Sequence, residues 1–240
     1  GPSGNGSSRN TSMNNANYFP VSRFSSMPTF GGTWQTNRSE NNWHTFQAGG
    51  RKWLALSLEF GPRDAVIDWA HQVIFDHPDH SVFIATHAYT YWDGNRLDDK
   101  NRPDHTGDPH DYGMDNGPGA GNGGQELWEK LVSKHPNVFM VFSGHIGFIS
   151  GRQTAWGDFG NPVYELLSDF QSMDFGGSGY LRIMTFKADG RTVDLHSYSP
   201  WLNTFLESGS DQFVIEPQDS HGLGMTPSAV YSVDGPGDDA

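Results

Sequence analysis

The feature that most constrains this chain is an ordered alternation of strand and helix patterns between residues 52 and 143. "KWLALSLEF" (52–60) alternates around Leu54, Leu56 and Leu58, the period of a strand with one face buried. Gly61-Pro62 breaks it, and in "PRDAVIDWAHQVIFDH" the apolar Val66, Trp69, Ala70, Val73 and Ile74 recur at helical spacing until Pro78. A strand follows at 81–86, then a polar loop at 88–123, a second helix at 123–136 and a strand at 137–143. Strands separated by crossover helices return parallel, and such crossovers are right-handed. The pattern predicts an α/β fold with a parallel core.

Two of those strands end in the same way. "SVFIATHAY" runs apolar into Thr86-His87, and "VFMVFSGHIG" runs apolar into Gly144-His145. In open α/β sheets ligands gather at the carboxyl ends of parallel strands. Neutral imidazole is a common metal ligand there, and a two-histidine rim needs carboxylates to complete a hydrolytic metal site. A histidine at a strand end can equally cap a backbone carbonyl, and spacing alone does not choose between the roles.

The loop at 88–123 is rich in Gly, Pro and Asp, and loops of that length are usually functional. His110, in "GDPHDYG", is a candidate catalytic group on the substrate side. Asp93 and His44 are candidates for the substrate or metal side. Asp98 and Asp104 could join Asp93 around a cation, although acidic loops are commonly just solvated. His71, His77, His80 and His135 fall on helices or at their polar ends, and His196 alternates with Leu195 in a late strand.

The flanking segments differ from this core. Residues 1–50 read as irregular, aromatic-rich and pinned by side chains, with short strand character near 43–47. Residues 51–216 read as the folded α/β part, and 217–240 as a surface-hugging tail. After residue 150 "PVYELLSDFQ", "GYLRIMTFKADGRTVDLHSYSP" and "QFVIEP" read as strands, with Asp189-Gly190 as a hairpin turn. The expectation is a parallel core extended by antiparallel strands.

A formal charge of -13 argues against nucleic acid and anionic membranes as partners. Cysteine is absent, which removes disulfides, thiolate nucleophiles and Cys-based zinc sites. Abundant Gly and aromatic residues with few Lys and Arg suit a secreted or periplasmic protein.

The segments "YFPVSRF", "LSLEFGPRDAVIDWA", "THAYTYWDG", "ELWEKLVSKHPNVFMVFSGH" and "GYLRIMTF" together resemble the secreted bacterial phosphatase branch of the calcineurin-like metallophosphoesterases, over roughly residues 15–216. The resemblance implies part of an α/β/β/α sandwich and metal-dependent hydrolysis of a phosphorylated small molecule or phosphodiester. It also implies a divalent cofactor such as Zn, Fe or Mn. His87 matches the family's lone-histidine motif and Gly144-His145 the start of its last motif, and in the family both histidines bind the same metal. The second histidine of that last motif is Gly147 here. The family's three earlier motifs, which carry the bridging carboxylate, are not in the sequence, so "YFPVSRF" implies a start just past them. Activity is therefore expected to be impaired, and the chain to associate with itself or with a complementary N-terminal fragment. The alternative is a non-catalytic binding or assembly protein on the same fold. Carbohydrate binding by the 88–123 loop is a third reading.

Overall fold

The computed structural model describes residues 18–117, 119–147, 150–190 and 192–216. The tail assigned to 217–240 and the first 17 residues lie outside them. The larger sheet has seven strands in the order β1-β2-β3-β4-β5-β7-β6. They are β1 (Phe30–Thr33), β2 (Asn42–Ala48), β3 (Arg51–Ser57), β4 (Ser81–Ala85), β5 (Val138–Ser143), β6 (Ser150–Trp156) and β7 (Pro162–Ser168). Its centre, β3-β4-β5-β7, is parallel, and β1-β2 and β6 add to it antiparallel on either side. The smaller sheet is antiparallel throughout. Its β9 (Val193–Ser199) pairs with β8 (Leu181–Phe186), β10 (Thr204–Phe205) and β11 (Gln212–Ile215).

Alternation along the strands sorts their side chains into two cores. Leu54 and Leu56 of β3 and Val82 and Ile84 of β4 face α1 (Asp64–Phe75) and α2 (Gly124–Lys130), where Val66, Ala70, Ile74, Leu127 and Leu131 complete a buried cluster. Trp53 and Phe83 face the other way and stack at 4.7 Å, packed with Phe139, Leu195 and Ile215 beneath the smaller sheet. The layers are thus helix, sheet, sheet. The α/β class and the parallel core with antiparallel extension stand as the sequence predicts. An outer helical layer beyond the small sheet is not found among the described residues. No described helix is long and apolar enough to cross a membrane.

Three local expectations are corrected, and one strand is found that the pattern did not predict. Residues 30–48 are more ordered than expected: the strand character near 43–47 extends over the whole of β2, and β1 pairs with it at the edge of the main sheet. A boundary at residue 50 falls inside the β2–β3 hairpin. Gly49 and Gly50 both take positive φ there (57° and 78°), which a tight two-residue hairpin turn demands. The strand character of β2 shows only in part because most of its residues are only partly buried, so its apolar alternation is weak. The second helix is shorter than 123–136. It ends at Lys130, and after Leu131 the chain tightens into a 3-10 turn, Val132–Lys134. Finally, β6 is a polar edge strand whose sequence, "SGRQTAW", carries little hydrophobic signal.

A buried ion pair ties the long loop to this scaffold. Glu165 on β7 is fully buried; one carboxylate oxygen accepts from Arg96 Nε at 2.8 Å and from the Tyr89 hydroxyl at 2.7 Å, and the other accepts from Gln153. The Arg96 guanidinium also lies 3.7 Å from the Trp128 ring centre and donates to Gln125. Every strong acceptor of Glu165 is engaged, the condition under which a buried carboxylate is tolerated.

Candidate functional site

β4 and β5 are adjacent and parallel, so the residues just past their carboxyl ends must meet. Thr86 is held by N–H donation to Phe142 O at 3.0 Å and by its hydroxyl donating to Glu59 O at 3.1 Å. Gly144 N then donates to His87 O at 3.1 Å, stitching the two strand ends together. The chain turns at His145, whose φ is +69°, while Ile146 N donates back to Gly144 O at 2.8 Å. A three-residue turn with positive φ at a non-glycine centre is rare and strained. Its effect is to aim the His145 ring back toward His87.

The two ring centres are 4.6 Å apart with planes at 52°. Phe60 stands edge-on to His87 at 5.3 Å and lies 5.4 Å from His145, forming an apolar floor. Tyr112, from the long loop, sets its hydroxyl 3.0 Å from His145 Nε2. Gly107 lets the loop come this close. A Cβ there would lie 2.7 Å from Ile146 Cδ1 and 3.3 Å from His145 Nε2. Behind the pair, buried Asp169 follows β7 and accepts from the Gln171 backbone N–H at 2.9 Å and from Gln171 Nε2 at 2.8 Å. Gln171 Nε2 also donates to His145 O at 3.1 Å.

Burial lowers the pKa of both histidines, against the opposing negative charge of Asp169. His145 is lowered further by His87. Both imidazoles are therefore neutral near pH 7, the state that offers a lone pair to a cation. The pair suits part of one ion's shell. It does not make a full set: among the described residues, the one group of three His or carboxylate ligand atoms lying within 4.8 Å of one another is Asp99, Asp108 and His110, in the loop.

The other sequence candidates are elsewhere. His110 lies in the 3-10 turn Pro109–Tyr112, its Nδ1 3.0 Å from Asp99 and 3.3 Å from Asp108. Asp93 braces the loop, accepting from Arg102 at 3.0 Å and from Asn95. His44 sits on β2, 3.3 Å from the Thr29 hydroxyl and edge-on to Phe30, with its pKa lowered by burial. None of the three joins His87 and His145. Asp98 accepts from Asn101, and Asp104 lies 3.5 Å from Arg102. Tyr112, Phe60, Asp169 and Gln171 were not foreseen. Phe60, at the end of the β3 pattern, carried a signal: it too follows a parallel strand.

No family model matches the chain. Over 215 residues, 88% of its length, it is 26% identical to the uncharacterized protein YvnB of Bacillus subtilis (strain 168). That match spans only 15% of YvnB.

Proposed function

We propose that this chain forms part of a metal-dependent phosphoester hydrolase in which His87 and His145 hold the same divalent ion. The observation that carries the reading is the convergence of two neutral imidazoles at the carboxyl ends of adjacent parallel strands, 4.6 Å apart, one of them on a strained turn. A divalent ion such as Zn, Fe or Mn would supply Lewis acidity and an activated water, and two-metal hydrolases add bridging carboxylates that set the ions roughly 3.5–4 Å apart. In this reading further ligands come from another segment or another chain, consistent with a match to only 15% of a longer relative. The residues described here orient the ion's imidazole face, keep it neutral, and line its floor with Phe60. Substrates would be a phosphorylated small molecule or a phosphodiester. A secreted or periplasmic setting is supported by composition alone, and self-association or a complementary fragment by the incomplete ligand set.

The test is binding followed by turnover. Mn(II) or Zn(II) should bind the 240-residue chain weakly, and any hydrolysis of an aryl phosphate should be chelator-sensitive and lost in His145→Ala. Metal binding and turnover that survive both His87→Ala and His145→Ala would sink the proposal. One observation favours a second reading, a non-catalytic binding module: the Tyr112 hydroxyl already engages His145 Nε2. Metal binding at the pair without hydrolysis, even when a longer polypeptide is supplied, would select it.

A further inference from the structure

We propose that the long loop carries its own divalent-cation site of the zinc class, built from Asp99, Asp108 and His110 and separate from the His87–His145 pair. The ligand atoms of these three residues lie within 4.8 Å of one another. His110 Nδ1 is 3.0 Å from Asp99 Oδ1 and 3.3 Å from Asp108 Oδ1. Zinc bonds of about 2.0–2.2 Å give tetrahedral ligand-to-ligand edges of roughly 3.3–3.6 Å. The observed spacings are close to such an edge, so little movement would seat an ion.

The histidine is set up from behind as a ligand would be. Its Nε2 lies 3.1 Å from Gly121 O and 3.3 Å from Glu126 Oε2. A ring N–H donated to a carbonyl or carboxylate fixes the tautomer and turns the other nitrogen's lone pair toward the metal. Here that other nitrogen, Nδ1, faces two carboxylates. A bare lone pair against two anions is repulsive, so the gap must hold a positive charge, either a proton or a metal ion.

An independent observation favours the ion. Asp108 is fully buried, and while Oδ1 accepts from His110 N at 3.1 Å, Oδ2 is buried with no hydrogen-bond partner. An orphaned buried carboxylate oxygen costs upward of about 1–3 kcal/mol and calls for an ion or water beside it. Gly123 packs directly on this carboxyl, where a Cβ would collide with Oδ2. Asp99 is partly exposed and leaves an approach from solvent for the ion and a fourth, water ligand. His110 and Tyr112 belong to one 3-10 turn, so an ion here would fix the turn that sets Tyr112 over His145.

The experiment uses the full chain carrying His87→Ala and His145→Ala, which leaves the loop as the remaining candidate. Zn(II) and Co(II) are titrated by equilibrium dialysis near pH 7.5, where both ligand types are deprotonated in the bound state. The expected result is about one equivalent bound, visible absorption of tetrahedral Co(II), and a rise in thermal midpoint with Zn(II). Adding Asp99→Asn should weaken binding by at least about tenfold, while the metal-free chain loses only the partly exposed His110–Asp99 contact and stays folded. His110→Gln should abolish the Co(II) spectrum; if that variant does not fold, Asp99→Asn decides. Failure of the double variant to retain Zn(II), or a His110 ring still doubly protonated at saturating Zn(II), would overturn the site in favour of a proton-bridged ionic lock.

Discussion

Among the described residues three pairs of histidine rings are in contact; His77 and His80 are near neighbours in sequence, and the difference between the other two pairs separates scaffold from site. His71 on α1 and His135 have ring centres 4.9 Å apart, and Nδ1 of His71 lies 2.7 Å from Nε2 of His135, a direct hydrogen bond. His71 Nε2 is 2.8 Å from Lys130 O. Each nitrogen of that contact has a protein partner, so the pair clamps α1 to the chain after α2. His87 and His145 are slightly closer at 4.6 Å, yet among the described contacts no hydrogen bond joins their rings. Imidazoles that share a proton satisfy each other, whereas imidazoles held side by side by strand ends keep lone pairs for a third party.

The largest effect expected from this comparison is on ion binding. In an Asp99→Asn background, which weakens the loop site, His87→Ala or His145→Ala should cut Zn(II) affinity at the rim about 100-fold, roughly 2.7 kcal/mol. Unfolding free energy should move by less than about 1 kcal/mol, as for other substitutions outside the core. His135→Ala should do the reverse, costing about 2 kcal/mol in urea unfolding through a lost half-buried hydrogen bond and lost packing. Dialysis and urea titration of the same variants decide it. Equal stability losses at both pairs would erase the distinction.

The pairs should also part company in their acid behaviour. Burial, aided by the neighbouring His71, lowers His135 from 6.5 to about 3. The unfolded chain then binds a proton near pH 6.5 that the folded chain refuses until about pH 3, so this stabilising contribution is complete above 6.5 and declines as pH falls through that window. Its slope is at most about 1.4 kcal/mol per pH unit, and its total a few kcal/mol. Asp68 and Lys134 act on His71 from the same neighbourhood and oppose each other. His135→Phe should flatten the dependence of the urea midpoint between pH 6.5 and 4 relative to the parent chain. An unchanged slope would show that the clamp is protonated in the folded state.

The sequence made the rim pair legible because two strong apolar strands each stop at a histidine, and strand-ending residues of adjacent parallel strands must converge. It concealed the clamp because His71 and His135 read as polar helix positions, and their contact depends on how α1 packs against the segment after α2. The strand character near 43–47 marked the middle of β2 but not its full length, and the edge strands β1 and β6 were missed because they lack strong, continuous apolar alternation; the Gly49-Gly50 turn was the available clue. The loop cluster was half visible. Asp93, Asp98, Asp104 and His110 stood out as chemistry-bearing, but which of the loop's carboxylates meets His110 depends on a fold anchored by the ion pair of half-buried Arg96 with buried Glu165. Asp99, Asp108 and Tyr112 acquire their roles only from that anchoring.

The smallest predicted effect concerns Tyr112, where the two regions meet. At the clamp the two imidazoles bond each other; at the rim the partner of His145 Nε2 is a hydroxyl from a loop, and an ion using that nitrogen must displace it. Breaking one neutral hydrogen bond costs about 0.5–1.5 kcal/mol net. Tyr112→Phe keeps the ring that stands 5.4 Å from Phe60 and removes only the hydroxyl. Affinity for Zn(II) at the rim should therefore rise by about two- to tenfold, with unfolding free energy nearly unchanged. His145 should also titrate differently in NMR, since its ring loses a partner while the Phe60 floor stays. A fall in affinity in Tyr112→Phe would mean that the hydroxyl supports the ion, by ligation or through a water, and would move Tyr112 from competitor to participant.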